Sequence, residues 1–271
     1  MKGVWTMNLK VSYSDLILLN NDVLENVERL IEYGADKIVS MMDGEKWNEM
    51  EALFDSLADR LNKLPVEYSV HPPAWDINLT SENKEIRKAS FIEYKKAIEF
   101  ASAIHASHVV IHPGFCFSPV FSKEIAKQRA HDYINQLCEI AKPLNVRLAV
   151  ENVGYNGASI YTQEEYVDCL NHVNDIAGFL IDVGHAQLNG WNISELIYSV
   201  KDRLIGLHLH DNDGFTDEHL PIQEGKMDWE KIMKTLHDHH IPCELILEYA
   251  PETPLETLKK GKDFLNKSIL I

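Results

Sequence analysis

The segment Phe179-Leu180-Ile181-Asp182 is a run of apolar residues that ends on an acid, and other runs in the chain share its form. They read Val66-Glu67-Tyr68-Ser69-Val70-His71, Val109-Val110-Ile111-His112, Leu148-Ala149-Val150-Glu151, Ile205-Gly206-Leu207-His208 and Leu245-Ile246-Leu247-Glu248. Most of them lack polar alternation, which is typical of parallel strands that are buried on both faces. Each run therefore predicts a buried strand whose last residue is able to bind a metal ion.

A strand pattern followed by a helical pattern recurs eight times along the chain. The predicted strands span residues 4–11, 36–41, 66–71, 107–112, 146–151, 177–182, 203–209 and 243–248. The predicted helices span residues 22–33, 46–63, 83–105, 122–142, 163–173, 193–200, 228–239 and 254–267. Alternating βα units favour parallel strands, and eight of them favour closure. We therefore predict an α/β fold, a (β/α)₈ TIM barrel, with residues 1–271 forming a single domain.

Length and composition agree with this prediction. The 271 residues are close to the roughly 250 that are typical of such a barrel. A doubly wound sheet, the alternative, needs a glycine-rich phosphate loop after the first strand, and the sequence has none there. No apolar stretch is long enough to span a membrane, and the N-terminal segment has no apolar core that would mark a signal peptide. The scattered cysteines suit reduced thiols, so we expect a cytoplasmic protein.

Predicted strands five to eight, which are neighbours in a closed barrel, end on Glu151, Asp182, His208 and Glu248. The carboxyl ends of parallel strands meet at one rim. Carboxylates gathered in a partly buried rim repel one another and lose hydration, which costs several kcal/mol per ion unless cations compensate. Carboxylates together with an imidazole suit Zn²⁺ or Mn²⁺. The four residues therefore predict a divalent metal site.

Further histidines and acids are able to extend this site. His71 and His112 both precede proline at the ends of adjacent predicted strands, which favours a paired role. The motifs Asp182-Val183-Gly184-His185 and Asp217-Glu218-His219 offer three more ligands. His208 and His210 share a strand face, so either is able to be the ligand. The remaining histidines are expected at the surface: His105, His108, His131, His172, His237, His239 and His240.

With these motifs the chain resembles the xylose isomerase-like TIM barrels, which include the endonuclease IV family and many sugar isomerases and epimerases. The resemblance covers residues 66–250 and rests on His71 with Asn78-Leu79, His112-Pro113-Gly114, Glu151-Asn152, Asp182-x-x-His185, His208-Leu-x-Asp211, Asp217-x-His219 with Glu224-Gly225, and Leu247-Glu248.

The two branches of this family imply different numbers of ions. The nuclease branch implies nine ligands and three zinc ions: one on His71, His112 and Glu151, a second on Glu151, Asp182, His208 and Glu248, and a third on His185, Asp217 and His219. The isomerase branch implies one ion on Glu151, Asp182, His208 and Glu248, with the two glutamates also moving protons. The expected cofactor is thus one to three Zn²⁺ or Mn²⁺ ions.

Basic residues are scarce in the loops that follow the predicted strands. These loops contain Lys46, Lys123 and Lys226 but no Arg, and the chain has a formal net charge of −16. A protein that grips DNA neutralises several phosphates with Lys or Arg. The charge pattern therefore argues against a nucleic-acid partner. The scarcity of Arg also argues against a phosphorylated sugar, although helix N-termini are able to bind phosphate.

The same loops are rich in rings and amides instead. Their aromatic residues are Trp47, Trp75, Phe115, Phe117, Phe121, Tyr155, Tyr161, Trp191, Phe215 and Tyr249. Flat apolar faces beside hydrogen-bonding amides suit a small sugar, and stacking on unpaired bases is the alternative. The predicted substrate-binding residues are Trp75, Asn78, Asn152, Tyr155, Trp191 and His210.

Three functions are consistent with these features. The preferred one is a divalent-metal-dependent isomerase or epimerase of a small sugar, with Glu151 and Glu248 as catalytic residues that transfer a proton through an enediolate. The second is a trinuclear zinc phosphodiesterase, like endonuclease IV, that acts on abasic DNA. The third is a metal or sugar binder without catalytic activity. The sequence leaves the substrate and the oligomeric state open, including a homo-oligomer.

Overall fold

The computed structural model describes residues 10–44, 47 and 53–269. Within them, parallel strands pair in chain order from β1 to β8, and β8 pairs with β1, so the sheet closes into a barrel. The strands are β1 Val11–Ser14, β2 Lys37–Met41, β3 Glu67–His71, β4 His108–Ile111, β5 Arg147–Glu151, β6 Ala177–Asp182, β7 Leu204–Leu209 and β8 Glu244–Leu247. The predicted (β/α)₈ TIM barrel is confirmed.

Helices connect the strands on the outside of the barrel. They are α1 Val23–Glu32, α2 Phe54–Leu61, α3 Lys84–Ala103, α4 Lys123–Ala141, α5 Gln163–Asp168, α6 Val183–Leu188, α7 Ile193–Val200, α8 Trp229–Asp238 and α9 Glu256–Ile269. Short 3₁₀ helices span Asp15–Leu18, Lys142–Leu144 and Lys201–Arg203. Side chains of Asp22, Asn83, Ser122 and Thr162 accept backbone N–H groups at helix starts, which fixes where each helix begins. No helix in this part of the chain is long and apolar enough to cross a membrane.

The first strand differs from its prediction. It begins at Val11, where the predicted strand 4–11 ends, and Ser12 lies in register with Ile246 of β8. Its four residues alternate between apolar and serine, a pattern that a search for continuous apolar runs misses. Residues 4–9 of the predicted strand, and residues 46 and 48–52 of the predicted second helix, lie outside the described residues.

A second difference is α6, which the sequence did not predict. It begins directly after β6, because Asp182 caps it: Oδ1 of Asp182 accepts the N–H of His185 at 2.6 Å. The helix has six residues, too few to show an apolar periodicity. The predicted fifth helix, 163–173, is also shorter in the structure and ends at Asp168.

Side chains alternate between the two faces of each strand, so those that point into the barrel form layers along its axis. A separate cluster of buried apolar side chains fills the middle and includes Val39, Val110, Ala149, Leu180 and Ile246. Two residues before these positions, towards the amino ends of the strands, lie Lys37, His108 and Glu244. Two residues after them, towards the carboxyl ends, lie His112, Glu151, Asp182 and Glu248. The apolar layer thus separates two polar clusters inside one barrel.

The polar cluster at the amino ends contains a buried ion pair with its hydrogen-bond partners. Lys37 forms a buried ion pair with Glu244 and donates to Oγ of Ser107 at 2.5 Å. Oγ of Ser12 donates to Oε1 of Glu244 at 2.5 Å. His108, expected at the surface, is buried here because it lies on β4, and burial holds its pKa well below the usual value. This cluster supports the barrel and leaves the carboxyl end as the candidate site.

Candidate metal centre and active site

The four ligands predicted from strands five to eight come together at the carboxyl end of the barrel. Nδ1 of His208 lies 3.2 Å from Oε1 of Glu151 and 3.1 Å from Oε2 of Glu248. The same nitrogen lies 4.0 Å from Oδ2 of Asp182. Donors that bind zinc at about 2.0–2.2 Å with tetrahedral angles are separated by roughly 3.4 Å. The spacing of these atoms is therefore close to that of a shared ion.

The chemistry of this donor set also fits a divalent cation. Glu151, Asp182 and Glu248 are all buried, so three carboxylates lose most of their hydration in one small volume. Oε1 of Glu248 is buried without a hydrogen-bond partner among the described residues. A buried carboxylate oxygen in that state is destabilising unless a cation or a ligand compensates it. Nitrogen and oxygen donors together suit Zn²⁺ or Mn²⁺.

His71 and His112 approach Glu151 from the other side. Nε2 of His112 lies 3.0 Å from Oε2 of Glu151, and Nε2 of His71 lies 3.8 Å from the same oxygen. Nδ1 of His71 donates to the carbonyl of Pro72 at 2.6 Å. Because a carbonyl only accepts, Nδ1 carries a proton, and Nε2 is the ring nitrogen that faces Glu151. Metal-binding histidines are commonly oriented in this way.

Three further predicted ligands meet around one carboxylate oxygen. Oδ2 of Asp217 lies 3.0 Å from Nε2 of His185 and 3.4 Å from Nε2 of His219. Nδ1 of His185 lies 3.6 Å from Oδ1 of Asp182, which joins this set to the central one. His219 has a φ of 49°, so the segment turns here and is not extended. The side chains still converge.

Asp211 organises the loop that carries Asp217 and His219, a role that sequence reasoning missed. Its Oδ1 accepts the N–H of Met227 at 2.9 Å, and its Oδ2 accepts Nε1–H of Trp229 at 2.7 Å. Its backbone also exchanges two hydrogen bonds with Leu220. The acid follows a strand end and precedes a long loop, which is the signal that points to such a role.

Charges within the cluster keep the central carboxylates ionised. Burial raises the pKa of Glu248, but the charge of His208 and its hydrogen bond outweigh burial and lower the pKa to about 2. Burial likewise opposes ionisation of Glu151, yet His208 and His112 hold its pKa well below the usual range. Anionic carboxylates are the form that binds a metal ion and the form that accepts a proton.

The geometry favours His208 over His210 as the ligand in the central set. His210 directs Nε2 to Oδ2 of Asp182 at 2.9 Å, and its ring stacks on His219 with centroids 3.8 Å apart. Gly184 leaves room for this ring, since a Cβ at that position would overlap it. His210 is buried and is not among the residues that line the cavity, and its contact with substrate stays a prediction.

A cavity of about 640 Å³ opens above this cluster of carboxylates and histidines. Trp75 and Tyr155, two of the predicted substrate-binding residues, line it together with Phe115 and Phe117. Other predicted rim aromatics do not: Trp47 packs on Phe54 and Phe100, and Tyr161 and Tyr249 are buried. Among the described residues that line the cavity there is no Lys or Arg. Lys46 lies outside the described residues.

Three predicted substrate-binding residues do not line this cavity and contact other parts of the rim instead: Asn78, Asn152 and Trp191. Asn78 donates to the carbonyl of Phe115 at 3.1 Å. Asn152 points away from the cavity because it follows the inward-pointing Glu151 on the strand. Trp191 packs its ring against Tyr166, with centroids 5.8 Å apart. The substrate contacts predicted for these three side chains stay predictions.

Comparison with known proteins places the fold and the site in a family. A family model for the xylose isomerase-like TIM barrel matches residues 27–268. The inosose isomerase of Halalkalibacterium halodurans is 26% identical over 212 residues, covering 76% of this chain and 73% of that protein. A D-tagatose 3-epimerase-like protein has a TM-score of 0.82 at 23% identity, covering 96% of this chain and 97% of that one.

A crystal structure of the IOLI protein with a zinc atom bound has a TM-score of 0.80 at 20% identity, covering 97% of this chain and 98% of that one. At this identity the likeness shows a shared fold. The family model, in contrast, extends over most of the sequence and includes all nine predicted metal ligands. The chain belongs to the xylose isomerase-like TIM barrel family.

Proposed function

We propose that this protein is a divalent-metal-dependent isomerase or epimerase of a small sugar or a related hydroxy-carbonyl compound. One observation carries the proposal: Glu151 and Glu248 both line the cavity, and Oε1 of Glu248 is buried without a partner among the described residues. Similarity to an inosose isomerase and to a D-tagatose 3-epimerase-like protein supports it. The lack of Lys and Arg around the described part of the cavity favours an uncharged sugar over a phosphorylated one.

The two glutamates divide the proton transfer between them. Glu248 takes the proton from the carbon beside the carbonyl, and the electron pair of that C–H bond forms the enediolate. Both glutamates are ionised in the free protein, so Glu151 first takes up a proton from solvent and then delivers it to the opposite face, and the proton on Glu248 later returns to solvent. Glu151 is thus protonated when Glu248 is still ionised. Two carboxyl groups in different surroundings are able to hold such opposite states. His208 contacts both of them and keeps their oxygens directed at the substrate.

Glu151, Asp182, His208 and Glu248 are the residues that would hold the ion. A divalent ion bound there supplies Lewis acidity that polarises a carbonyl and the hydroxyl next to it. His71 and His112, and the set of His185, Asp217 and His219, are able to hold up to two more. The proposal takes Zn²⁺ or Mn²⁺ as the ion.

Solvent exchange tests this function. Glu248→Gln removes the base, so the variant should lose exchange of the substrate C–H with deuterium, by about 10²-fold or more. Glu230→Gln, an exposed change on α8, is the control and should keep full exchange. The measurement is NMR of a panel of ketoses and inososes in D₂O with the Zn²⁺- or Mn²⁺-loaded protein. Full exchange by Glu248→Gln would refute the assignment.

A second candidate is a trinuclear phosphodiesterase that cleaves DNA at abasic sites. The arrangement of His185 and His219 around Asp217 favours it, because a single ion does not need these residues. The cavity opposes it, since its described lining contains no Lys or Arg, the residues that usually neutralise the phosphates of DNA. Incubation of an abasic duplex with the Zn²⁺- or Mn²⁺-loaded protein decides the question. No incision would exclude this activity.

A further inference from the structure

Aromatic rings continue from the candidate active site to the mouth of the cavity. The ring of Phe115 packs edge-on against His112 with centroids 5.9 Å apart, and Phe117 stacks on Phe115 at 5.5 Å. Phe117 is 78% exposed and Trp75 is 62% exposed, and both line the same cavity as Glu151. Exposed apolar surface that joins a cavity marks a ligand-binding groove. We call Trp75, Phe115 and Phe117 the aromatic platform.

The backbone beneath the aromatic platform is held by polar side chains. Asn78 donates to the carbonyl of Phe115 at 3.1 Å and accepts its N–H at 3.2 Å. Phe115 also forms an antiparallel bridge with Ser159 of the next rim loop. On the Trp75 side, Oδ2 of Asp43 accepts the N–H of Ala74 at 2.8 Å. The exposed rings therefore stand on a preorganised frame, as binding surfaces do.

The size and charge of the cavity indicate what the platform binds. A volume of about 640 Å³ lies in the range that accepts drug-sized ligands. Such a pocket has space for more than one ring. The buried carboxylates of Glu151 and Glu248 and the exposed rings of the platform line this one cavity, with no Lys or Arg among the described lining residues. A flat, uncharged group joined to the sugar fits beside the exposed rings.

We propose that the aromatic platform is a subsite for a flat, uncharged ring attached to the sugar, so that the substrate is a sugar conjugate. This inference rests on the proposed function, because it assumes that the sugar occupies the space beside Glu151 and Glu248. Stacking of one aromatic ring on another improves binding by about three- to tenfold. Phe117 is the residue on which we expect most of that gain to depend.

Matched ligands test the subsite without requiring turnover. The ligands are the benzyl ethers of D-fructose at O1 and at O6, each compared with the methyl ether at the same position. The proteins, all loaded with Zn²⁺, are the unaltered chain, Phe117→Ala and Phe215→Ala. Phe215 is a suitable control, because it is a phenylalanine with 71% exposure that does not line this cavity. Dissociation constants are measured by NMR titration.

We expect at least one benzyl ether to bind about three- to tenfold more tightly than its methyl partner in the unaltered chain and in Phe215→Ala. That preference should disappear in Phe117→Ala. The inference is overturned if neither benzyl ether is preferred, if none of the ethers binds, or if Phe117→Ala keeps the preference. Failure of the proposed function has a different signature: deuterium exchange is absent while the benzyl preference persists.

Discussion

The side chain of Asn152 and the backbone of Asp182 are joined by two hydrogen bonds. Nδ2 of Asn152 donates to the carbonyl of Asp182 at 2.9 Å, and the N–H of Asp182 donates to Oδ1 of Asn152 at 2.8 Å. Asn152 directly follows Glu151, so this pair of bonds ties together the ends of β5 and β6. Both proposed ligands on those strands are therefore positioned by one buried amide.

The first prediction concerns this amide. Asn152→Asp keeps the size of the side chain but loses the donor, and it places a carboxylate beside the Asp182 carbonyl. Groups that orient metal ligands typically change metal affinity by about 10–100-fold when mutated. We expect the variant to bind Zn²⁺ weaker by that factor, as measured by competition with a chelator.

The control for this variant is Asn171→Asp, which makes the same change at an exposed position beyond α5. It should leave zinc affinity unchanged. Equal zinc affinity in Asn152→Asp and the unaltered chain would show that the bridge does not position the ligands.

A second prediction concerns Gly184, which lies against the ring of His210. A Cβ at this position would overlap the ring, and overpacking of a buried site costs about 1–3 kcal/mol. Gly184→Ala should lower the free energy of unfolding by that amount in urea titrations. The double variant Gly184→Ala/His210→Ala should be no less stable than His210→Ala alone, because the ring is gone. A further loss of stability in the double variant would contradict the overlap.

The barrel and the convergence of Glu151, Asp182, His208 and Glu248 were predictable, because both depend on a local pattern that repeats. An apolar run that ends on an acid or a histidine identifies a strand and its carboxyl end together, as at Glu151 and His208. Ser12 and Ser14 show where this pattern fails, because a short strand with alternating serines carries no continuous apolar run.

The substrate contacts were harder to predict, because a loop side chain is directed by neighbours that are distant in sequence. Asn78 is held by Phe115 from another loop, and Trp191 follows the unpredicted helix α6, which turns it towards Tyr166. Asn152 is an instructive exception. Strand alternation alone places it opposite Glu151, so its structural role was within reach of the sequence.

The third prediction concerns the buried pair Lys37 and Glu244. Glu244→Gln leaves an uncompensated buried ammonium, which costs about 3–5 kcal/mol. The double variant Lys37→Met/Glu244→Gln should recover much of the loss in urea unfolding. Glu67→Gln is the control: its partner Lys10 and Glu67 itself are each 60% exposed, so breaking that pair should cost less than about 1 kcal/mol. Equal losses of stability in Glu244→Gln and Glu67→Gln would mean that burial of the ion pair does not matter here.

The last prediction concerns pH and metal removal. Burial lowers the pKa of His185, but Asp182 and Asp217 outweigh burial and raise it to about 10. A histidine whose pKa is higher in the folded protein than in the unfolded one stabilises the fold when it is protonated. This contribution is fully present below the unfolded pKa of 6.5 and is lost as the pH rises towards 10. The metal-free protein should therefore become less stable from about pH 7 to 10.

Zinc affinity should rise over the same pH range, because zinc competes with the proton on His185 and that proton is lost as the pH increases. The measurements are thermal unfolding of the chelator-treated protein and zinc competition titrations at each pH. His185→Gln removes one titrating group and leaves His219, whose pKa is raised to about 9, so it should make both profiles shallower. The His131→Gln control, a partly exposed histidine on α4, should leave both slopes intact. An unchanged pH slope in His185→Gln would mean that another group carries the proton that zinc displaces.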